Sequence, residues 1–267
     1  MIATSIVLYK HSYEELKDTL DCLIENKYIN KIILVDNDAS NWASNYIHGK
    51  IQYIKSSGNV GFGTAHNIAI KKFSNNFQYF LICNPDIYFD QKQFNKLFEF
   101  ALNNKAGLYL PKILFPNGSN QYGARLIPSI FNLFTRRFSP KLAAYLDNAY
   151  LLKKYTINQP YFVPYLSGCF MLFDTKALIS LNGFDEQFFM YMEDIDLSRR
   201  CADKFNNIYY PEAIIFHKHE QGSYKNKLLL KAHIRSAFQY FNKWGWFFDS
   251  NRQKLNNKCI NQLEKIT

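Results

Sequence analysis

The feature that most restricts the fold is a regular alternation of strand and helix patterns over the first 112 residues. Short apolar runs predict strands at residues 5–9, 31–35, 51–54, 79–83 and 108–110. Apolar residues at helical spacing predict helices at residues 13–25, 64–73 and 91–103. Repeated strand–helix units favour a mostly parallel central sheet with helices on both faces. We therefore expect an α/β, Rossmann-like fold.

The second half of the chain is less regular, and residues 116–160 are broken by Gly, Pro, Arg and Asn. We predict helices at residues 139–155, 175–181 and 192–203, strands at 164–173 and 209–216, and a basic amphipathic helix at 225–241. This divides the chain into a catalytic domain, residues 1–223, and a C-terminal helical segment, residues 224–267. The domain divides further into a nucleotide-binding half, 1–112, and an acceptor half, 113–223.

Composition narrows the class of protein. Among 267 residues, 48% are hydrophobic, which supports a sizeable core and argues against disorder. No apolar run approaches the roughly 18 residues of a membrane span, and residues 1–10 resemble a first strand more than a signal peptide. The five cysteines form no CxxC pair, so structural zinc and a disulfide framework are not expected, and a reducing cytoplasm fits.

Positive charge is concentrated in two segments. Residues 218–267 carry 10 Lys and Arg against 3 Asp and Glu, a net charge of +7, and residues 125–154 carry 6 against 1, a net charge of +5. Such segments favour an anionic partner: a membrane surface, a phosphorylated lipid or nucleic acid. Nucleic acid is the weakest of these, because no recognised nucleic-acid-binding motif accompanies the charge. The aromatic residues at 244–248 favour membrane docking, with packing on the domain or a homodimer interface as alternatives.

The most specific motif is Asn84-Pro85-Asp86, directly after the apolar run at residues 79–83. Ligands of open α/β sheets bind beyond the carboxyl ends of the strands. A carboxylate at that edge suits Mg²⁺, which combines one or two carboxylates with substrate phosphates. A turn that merely ends the strand is the alternative.

Further polar and glycine positions follow the other predicted strands. Asp36 and Tyr9 are placed to bind a nucleoside, through hydrogen bonds and stacking respectively. The segment from Gly58 to Asn67 contains glycines that let a backbone approach a phosphate, although it matches neither a dinucleotide fingerprint nor a P-loop. Of His217 and His219, which point to opposite sides of an extended segment, one can face the site as a metal or phosphate ligand. A purely structural role is the alternative.

The densest signal extends from Ser167 to Leu197. An aromatic-rich loop, residues 184–191, leads to the adjacent acids Glu193 and Asp194 at a predicted helix start. Negative charge is favoured there by the helix dipole. One acid of such a pair can organise the site while the other acts as a general base. Ordinary acidic enrichment at a helix N-terminus is the alternative.

Together these motifs resemble the inverting glycosyltransferases of family 2 with the GT-A fold, in the bacterial rhamnosyltransferase-like branch that builds O-antigen. Order and spacing agree over residues 4–223. The matching pieces are residues 35–37, 58–67, 84–86, 167–170, 183–186 and 192–197, and His217.

The resemblance implies a role for each matched position. Asp86 would be the last acid of the DxD motif and bind Mg²⁺ or Mn²⁺ on the diphosphate, with His217 assisting, while Asn84 replaces the first acid. Asp194 would be the general base, supported by Glu193. The expected nucleotide-sugar-binding residues are Tyr9, Asp36, Gly61, Gly63, Asn67, Asn84 and Asp86; the expected acceptor-binding residues are Ser167, Gly168 and Tyr191.

The implied function is transfer of a sugar, rhamnose from dTDP-rhamnose, to a lipid-linked saccharide at the inner face of the plasma membrane. Two alternatives stay open: a UDP-hexose donor such as UDP-galactose or UDP-glucose, and an inactive nucleotide- or glycan-binding subunit. A nucleotidyltransferase is disfavoured, because no basic Gly-rich pyrophosphorylase-type loop follows the first predicted strand.

Overall fold

The computed structural model describes residues 1–38, 41–133, 147–218 and 227–266. In the first half, strands and helices alternate as the sequence predicts. The elements are β1 (Ile2–Leu8), α1 (Tyr13–Glu25), β2 (Ile29–Asp36), α2 (Asn41–Asn45), β3 (Ile51–Lys55), α3 (Phe62–Phe73), a 3₁₀ turn (Ser74–Asn76), β4 (Tyr79–Cys83), β5 (Ile87–Tyr88), α4 (Gln91–Asn103) and β6 (Leu108–Leu114).

The second half adds five strands and four helices that we label, and residues 130–133 and 147–150 are also helical. The elements are β7 (Ala124–Arg125), β8 (Tyr161–Phe162), β9 (Tyr165–Leu166), β10 (Phe170–Asp174), α5 (Thr175–Ser180), α6 (Glu193–Lys204), β11 (Asn207–His217), α7 (Lys227–Trp244) and α8 (Ser250–Ile266).

The described strands form one large sheet in the order β3-β2-β1-β4-β10-β6-β11-β5, with β8 paired to β11. Strands β1 to β4 are mutually parallel where they pair, and β6 is parallel to β11. Strand β10 lies between β4 and β6 and is antiparallel to both. The sheet is therefore mixed, and its parallel strands all end at one edge, where β10 begins. That edge carries the candidate site.

Local sequence explains the helices that cover this sheet. Helix α1 begins with a capping box, in which Ser12 and Glu15 satisfy each other's backbone N–H groups. Its residues Leu16, Leu20 and Leu23 are buried in the core, as the helical spacing predicts. Helix α4 is capped by Asp90, whose carboxylate accepts a hydrogen bond from the backbone of Lys92.

Several boundaries differ from the predictions by one to four residues, and α2 and β5 were not predicted. Three differences concern the site and the C-terminal segment. The strand predicted at residues 164–173 is two strands, β9 and β10, because residues 167–169 leave the ladder. Helix α6 begins one residue later than predicted, since Met192 has a left-handed backbone with φ of 68°. The basic helix continues to Trp244, and a further helix, α8, follows it. Residues 139–146 of the helix predicted at 139–155, like His219, lie outside the described residues.

The C-terminal segment packs on the rest of the protein. Helix α8 buries Leu255, Cys259 and Leu263, and α7 buries Tyr240 and Phe241. In the part of the chain that the structure describes, no helix has the length and apolar character needed to cross a membrane. The division at residue 223 stays a prediction, but the segment beyond it shares the core of the domain.

Candidate active site

A cleft of about 560 Å³ lies at the carboxyl ends of β1, β2 and β3. Its position is where the sequence predicts the nucleoside, and Tyr9, with 40% of its surface exposed, lies on its wall. The cleft also contains residues that the sequence analysis did not select, including two lysines. Its lining residues are Tyr9, Lys10, Asn37, Asp38, Lys55, Ser56, Ser57, Gly58 and Asn59.

Asp36 is fully buried beneath this cleft. Its carboxylate accepts hydrogen bonds from the Tyr53 hydroxyl at 2.7 Å and from the backbone N–H of Asp38 at 3.2 Å. Burial, together with the Asp36 carboxylate, raises the pKa of Tyr53 to about 12, so the phenol stays protonated. Asp38, two residues later, lines the cleft, and burial raises the pKa of its carboxyl. Contact of Asp36 with a nucleoside stays a prediction.

Asn37 fixes the shape of the glycine-containing loop that follows β3. Its Oδ1 atom accepts hydrogen bonds from the Ser56 hydroxyl at 3.1 Å and from the backbone N–H of Val60 at 3.0 Å. Its Nδ2 group donates to Asn59 Oδ1 at 3.0 Å. A single buried amide thus joins the end of β2 to the loop.

The loop glycines contact protein in this structure. Gly61 has φ of +91°, and a Cβ atom there would lie 2.2 Å from the carbonyl oxygen of Phe189. A Cβ atom on Gly63 would lie 2.9 Å from Cβ of Phe184. Both glycines therefore allow the aromatic-rich loop of residues 184–191 to approach closely, and the predicted contact with a donor phosphate stays a prediction.

Asn67 is also occupied by that aromatic-rich loop. Its side chain exchanges two hydrogen bonds of 2.9 Å with the backbone of Phe184 and donates a third to Glu186. The amide is buried. In this structure Asn67 therefore anchors the loop, a role the sequence did not indicate, and its predicted contact with the donor stays a prediction.

Asn84, Asp86 and His217 lie together at the edge of the sheet. Strand β5 pairs with β11 so that Ile87 is opposite His217, which brings Asp86 beside the imidazole. His217 Nε2 is 3.1 Å from Asp86 Oδ1 and 3.5 Å from Asn84 Nδ2. Its Nδ1 atom lies 2.9 Å from Gln121 Oε1. The structure thus groups the three side chains that the resemblance assigns to the diphosphate end of the donor.

The ionisation of His217 reflects these neighbours. Burial lowers the pKa of the imidazole, but Cys169 and Asp86 outweigh burial and raise the pKa to about 10. Protonated His217 therefore compensates the Asp86 charge in the structure. Gln121 and Cys169 were not selected from the sequence, since neither follows a predicted strand of the first half.

Asp194 is held at the start of α6 by three hydrogen bonds. Its Oδ2 atom accepts from the Tyr165 hydroxyl at 2.9 Å and from the backbone N–H of Gly168 at 3.0 Å. Its Oδ1 atom accepts from the backbone N–H of Ile195 at 2.9 Å. A Cβ atom on Gly168 would lie 2.7 Å from Cβ of Asp194, so only glycine permits this approach.

Glu193 differs from its neighbour. It is 5% exposed, and burial followed by the charge of Asp194 raises its pKa well above the usual value. Burial and the charge of Asp194 thus favour the neutral form of Glu193, whereas Asp194 accepts three hydrogen bonds. The environments therefore separate the two acids, as expected for one general base and one supporting group.

Residues 168 and 169 connect the acid pair with the diphosphate end. The backbone N–H of Gly168 binds Asp194, while the carbonyl oxygen of Cys169 accepts a hydrogen bond of 2.8 Å from the backbone of Asn84. Ser167, just before them, is partly exposed. Two consecutive residues thus contact the candidate base on one side and the candidate cation site on the other. A sugar bound between these two groups could react with an acceptor activated by the base.

Tyr191 lies on the far side of the aromatic-rich loop, against α7. Its ring is 4.7 Å from that of His233, and the Ser236 hydroxyl donates a 2.8 Å hydrogen bond to the carbonyl of Met190. Tyr191 and Met192 both have φ of +68°, a costly conformation for residues other than glycine. Helix α7 therefore contacts the loop at its strained end, a link that no local sequence pattern shows.

Comparison with known proteins finds a family match and related chains. Residues 5–181 match Glycosyl transferase family 2. Rhamnosyltransferase WbbL of Escherichia coli strain K12 is 27% identical over 278 residues, which cover 98% of both chains. The N-acetylglucosaminyl-diphospho-decaprenol L-rhamnosyltransferase of Mycobacterium tuberculosis strain H37Rv is 26% identical over 230 residues, 78% of this chain and 73% of that one.

Solved structures confirm the expected GT-A type of α/β fold. GalNAc-T7 with UDP, GalNAc and Mn²⁺ matches with a TM-score of 0.61 at 15% identity; the match covers 81% of this chain but 42% of that one. The mannosyltransferase PcManGT of Pyrobaculum calidifontis, in complex with GDP-Man and Mn²⁺, matches with a TM-score of 0.56 at 12% identity, covering 90% of this chain and 64% of that one.

Proposed function

The chain belongs to glycosyltransferase family 2, and on that premise we propose that it transfers rhamnose from dTDP-rhamnose to a lipid-linked saccharide, with inversion. The relatives named above, a rhamnosyltransferase and one whose name specifies a diphospho-decaprenol acceptor, support rhamnose as the sugar and this acceptor class. The dTDP nucleotide of the donor is part of the proposal. The observation that carries the proposal is that Gly168 binds Asp194 while the next residue, Cys169, binds the backbone of Asn84, two residues before Asp86.

The reaction is a direct displacement. Asp194 removes the proton of the acceptor hydroxyl, and the hydroxyl oxygen attacks the anomeric carbon as the bond to the diphosphate breaks. The nucleoside diphosphate leaves with that electron pair, and the proton remains on Asp194. Glu193 is buried and its pKa is raised, which favours a neutral side chain beside the base.

A divalent cation fits the donor set only in part. Among the described residues, no three His, Cys, Asp or Glu side chains are arranged to hold a metal. Asp86 and the Asn84 amide oxygen could hold Mg²⁺ or Mn²⁺ if the diphosphate of the donor provides further oxygens. His217, protonated in this structure, would have to lose its proton to join them as a ligand, and with the proton it would instead donate to the diphosphate. The ion, when bound, would stabilise the charge of the leaving diphosphate.

The test is transfer by the purified protein. dTDP-rhamnose, UDP-glucose and UDP-galactose are each supplied with Mn²⁺ and a polyprenyl-diphosphate-linked N-acetylglucosamine, and products are identified by mass spectrometry. We expect product from dTDP-rhamnose, and on the order of 10²–10⁴-fold slower transfer by Asp194→Asn with donor binding retained. Transfer from a UDP-hexose instead would show that the donor is a UDP-sugar. If Asp194→Asn is active and Glu193→Gln is inactive, Glu193 is the base and Asp194 the supporting group. Absence of transfer with all three donors would support the alternative of an inactive nucleotide- or glycan-binding subunit.

The role of Asp86 has its own measurement. Asp86→Ala should weaken calorimetric binding of dTDP in the presence of Mn²⁺ and leave binding without metal nearly unchanged, because Asp86 provides the one carboxylate among the residues proposed to hold the ion. Equal affinity of both proteins at saturating Mn²⁺ would contradict this assignment.

We further propose that the C-terminal segment docks the enzyme on an anionic membrane, where a lipid-linked acceptor lies, on the inner face of the plasma membrane. Of the aromatic residues at 244–248, Trp244 does not support docking, because its indole N–H donates a hydrogen bond to buried Asp196 and the ring packs on the domain. Phe247 and Phe248, however, are 63% and 95% exposed. Along α7, Leu228, Ile234 and Phe238 are exposed on the same basic helix. Exposed aromatic and aliphatic side chains with Lys and Arg favour the membrane interface.

Sedimentation with anionic vesicles tests this docking. We expect binding that weakens with salt and is lost when Lys227, Lys231 and Arg235 are changed to Glu. Changing Lys17, Lys92 and Lys105 to Glu alters net charge equally and should retain binding. A protein that ignores anionic vesicles at low salt but is a dimer by light scattering would support the homodimer interface instead.

A further inference from the structure

A two-stranded ribbon lies behind the candidate base and has no part in the reaction described above. Strands β7 and β9 pair antiparallel, with Arg125 directly opposite Tyr165. The guanidinium carbon of Arg125 is 5.6 Å from the centre of the Tyr165 ring. Arg125 is anchored by a 2.7 Å hydrogen bond from its Nε to the carbonyl of Tyr122. A buried tyrosine thus separates a cation from Asp194.

The hydrogen bonds on Asp194 distinguish its two oxygens. Oδ2 accepts from two donors, the Tyr165 hydroxyl and the Gly168 backbone. Oδ1 accepts from one, the Ile195 backbone. Each carboxylate oxygen has about two lone-pair positions. Oδ2 is therefore saturated, and Oδ1 retains the position that can receive a proton.

Tyr165 and Arg125, behind Asp194, each keep one protonation state. Burial and then the charge of Asp194 raise the pKa of Tyr165 well above its usual value, so Tyr165 stays a hydrogen-bond donor. Burial lowers the pKa of Arg125, but Tyr165, Tyr150 and Asp194 outweigh burial. The net pKa is raised, so Arg125 stays a cation. On its own helix, Asp194 follows Glu193, whose pKa is raised by burial and then by the charge of Asp194.

We propose that Tyr165 and Arg125 are positioning residues for the base: Tyr165 holds Asp194 with Oδ1 toward the acceptor, and Arg125 packs on the Tyr165 ring and places a positive charge behind the carboxylate. This inference rests on the proposed role of Asp194 as base. It assigns to the ribbon β7–β9 the control of the pH at which transfer begins.

The test is the pH profile of kcat/KM for the acceptor. Tyr165→Phe removes one donor to the carboxylate, so the pKa of the acidic limb should rise by about one unit, equivalent to about 1.4 kcal/mol. The rate at the plateau should fall on the order of tenfold, while the KM for the donor stays unchanged. Tyr79→Phe is the matched control: it loses a buried hydrogen bond of 2.8 Å to Ala101, distant in the fold, and should leave the acidic limb in place.

Arg125→Gln is the second variant, since it keeps the strand pairing and removes the charge. It should also raise the pKa of the acidic limb, with donor binding retained as evidence of folding. An unchanged limb in both folded variants, while Asp194→Asn is inactive, would overturn the inference and leave Asp194 as base. An active Asp194→Asn would instead remove the proposed function itself. If Tyr165→Phe does not fold, the Arg125→Gln profile decides alone.

Discussion

Arg199 and Asp249 form a two-pronged ion pair inside the protein, 50 residues apart in the sequence. Arg199 is fully buried on α6, the helix that begins with the acid pair, and its guanidinium also contacts Tyr240 and the ring of Trp244. Asp249 precedes α8 and accepts a hydrogen bond from the backbone of Arg252. The pair therefore ties the candidate catalytic helix to the C-terminal segment.

Neutralising one partner of this pair should be costly. Asp249→Asn keeps a side chain that can cap α8 but leaves the Arg199 charge buried, so we expect about 3–5 kcal/mol less free energy of unfolding. Chemical denaturation measures it. The double variant Arg199→Met with Asp249→Asn should recover much of the loss, because no unpaired charge remains. A loss below about 1 kcal/mol for Asp249→Asn would show that the pair is exposed in solution.

Gly61→Ala tests the close approach of the glycine loop and the aromatic-rich loop. The new Cβ atom would overlap the Phe189 carbonyl, so the KM for the acceptor should rise and stability should fall by about 1–3 kcal/mol. Gly118→Ala is the control: it also has positive φ, but its Cβ atom would meet nothing within 4 Å. If both variants behave alike, backbone strain alone explains the effect.

Gly168→Ala tests the position of the base without positive-φ strain. The methyl group would lie 2.7 Å from Cβ of Asp194 and push the carboxylate away from its donors. We expect kcat to fall on the order of a hundredfold, as a misplaced catalytic group does, with calorimetric binding of dTDP retained. Normal turnover by this variant would show that α6 can move without loss, and would weaken the assignment of Asp194.

The raised pKa of Glu193 predicts that the free energy of unfolding depends on pH. Burial raises its pKa in the folded protein, so the folded state holds this proton more tightly than the unfolded state does. Its contribution to the free energy of unfolding is fully present below about pH 4.3, the pKa of Glu in an unfolded chain. That contribution is lost as pH rises toward the pKa in the folded protein, at up to about 1.4 kcal/mol per pH unit. Glu193→Gln should therefore become more stable than the wild type as pH increases.

Urea denaturation at several pH values between 4 and 8 gives the comparison. Glu14→Gln, at an exposed position of α1, is the control and should follow the wild type. Parallel curves for wild type and Glu193→Gln would mean that Glu193 is ionised in the folded protein, through a donor that the structure does not contain.

Much of the fold follows from local sequence. Apolar spacing and caps identify α1 and α4, and the run before Asn84 identifies β4, because helix and strand periods depend on neighbouring residues. The strand-end positions of Asp36 and Asp86 follow for the same reason, since parallel strands end at a common edge. The insertion of antiparallel β10 between β4 and β6 does not, because strand order depends on pairing between distant segments.

The sequence by itself determined which residue types meet at the candidate site: a carboxylate after β4, adjacent acids at the start of α6, and glycines after β3. Only the tertiary structure decided how they are held. Gly168 and Tyr165 reach Asp194 across 26 and 29 residues, and Asn67 reaches Phe184 across 117. These contacts depend on hydrogen-bond geometry between segments brought together by folding. Residue spacing along the chain does not determine that geometry.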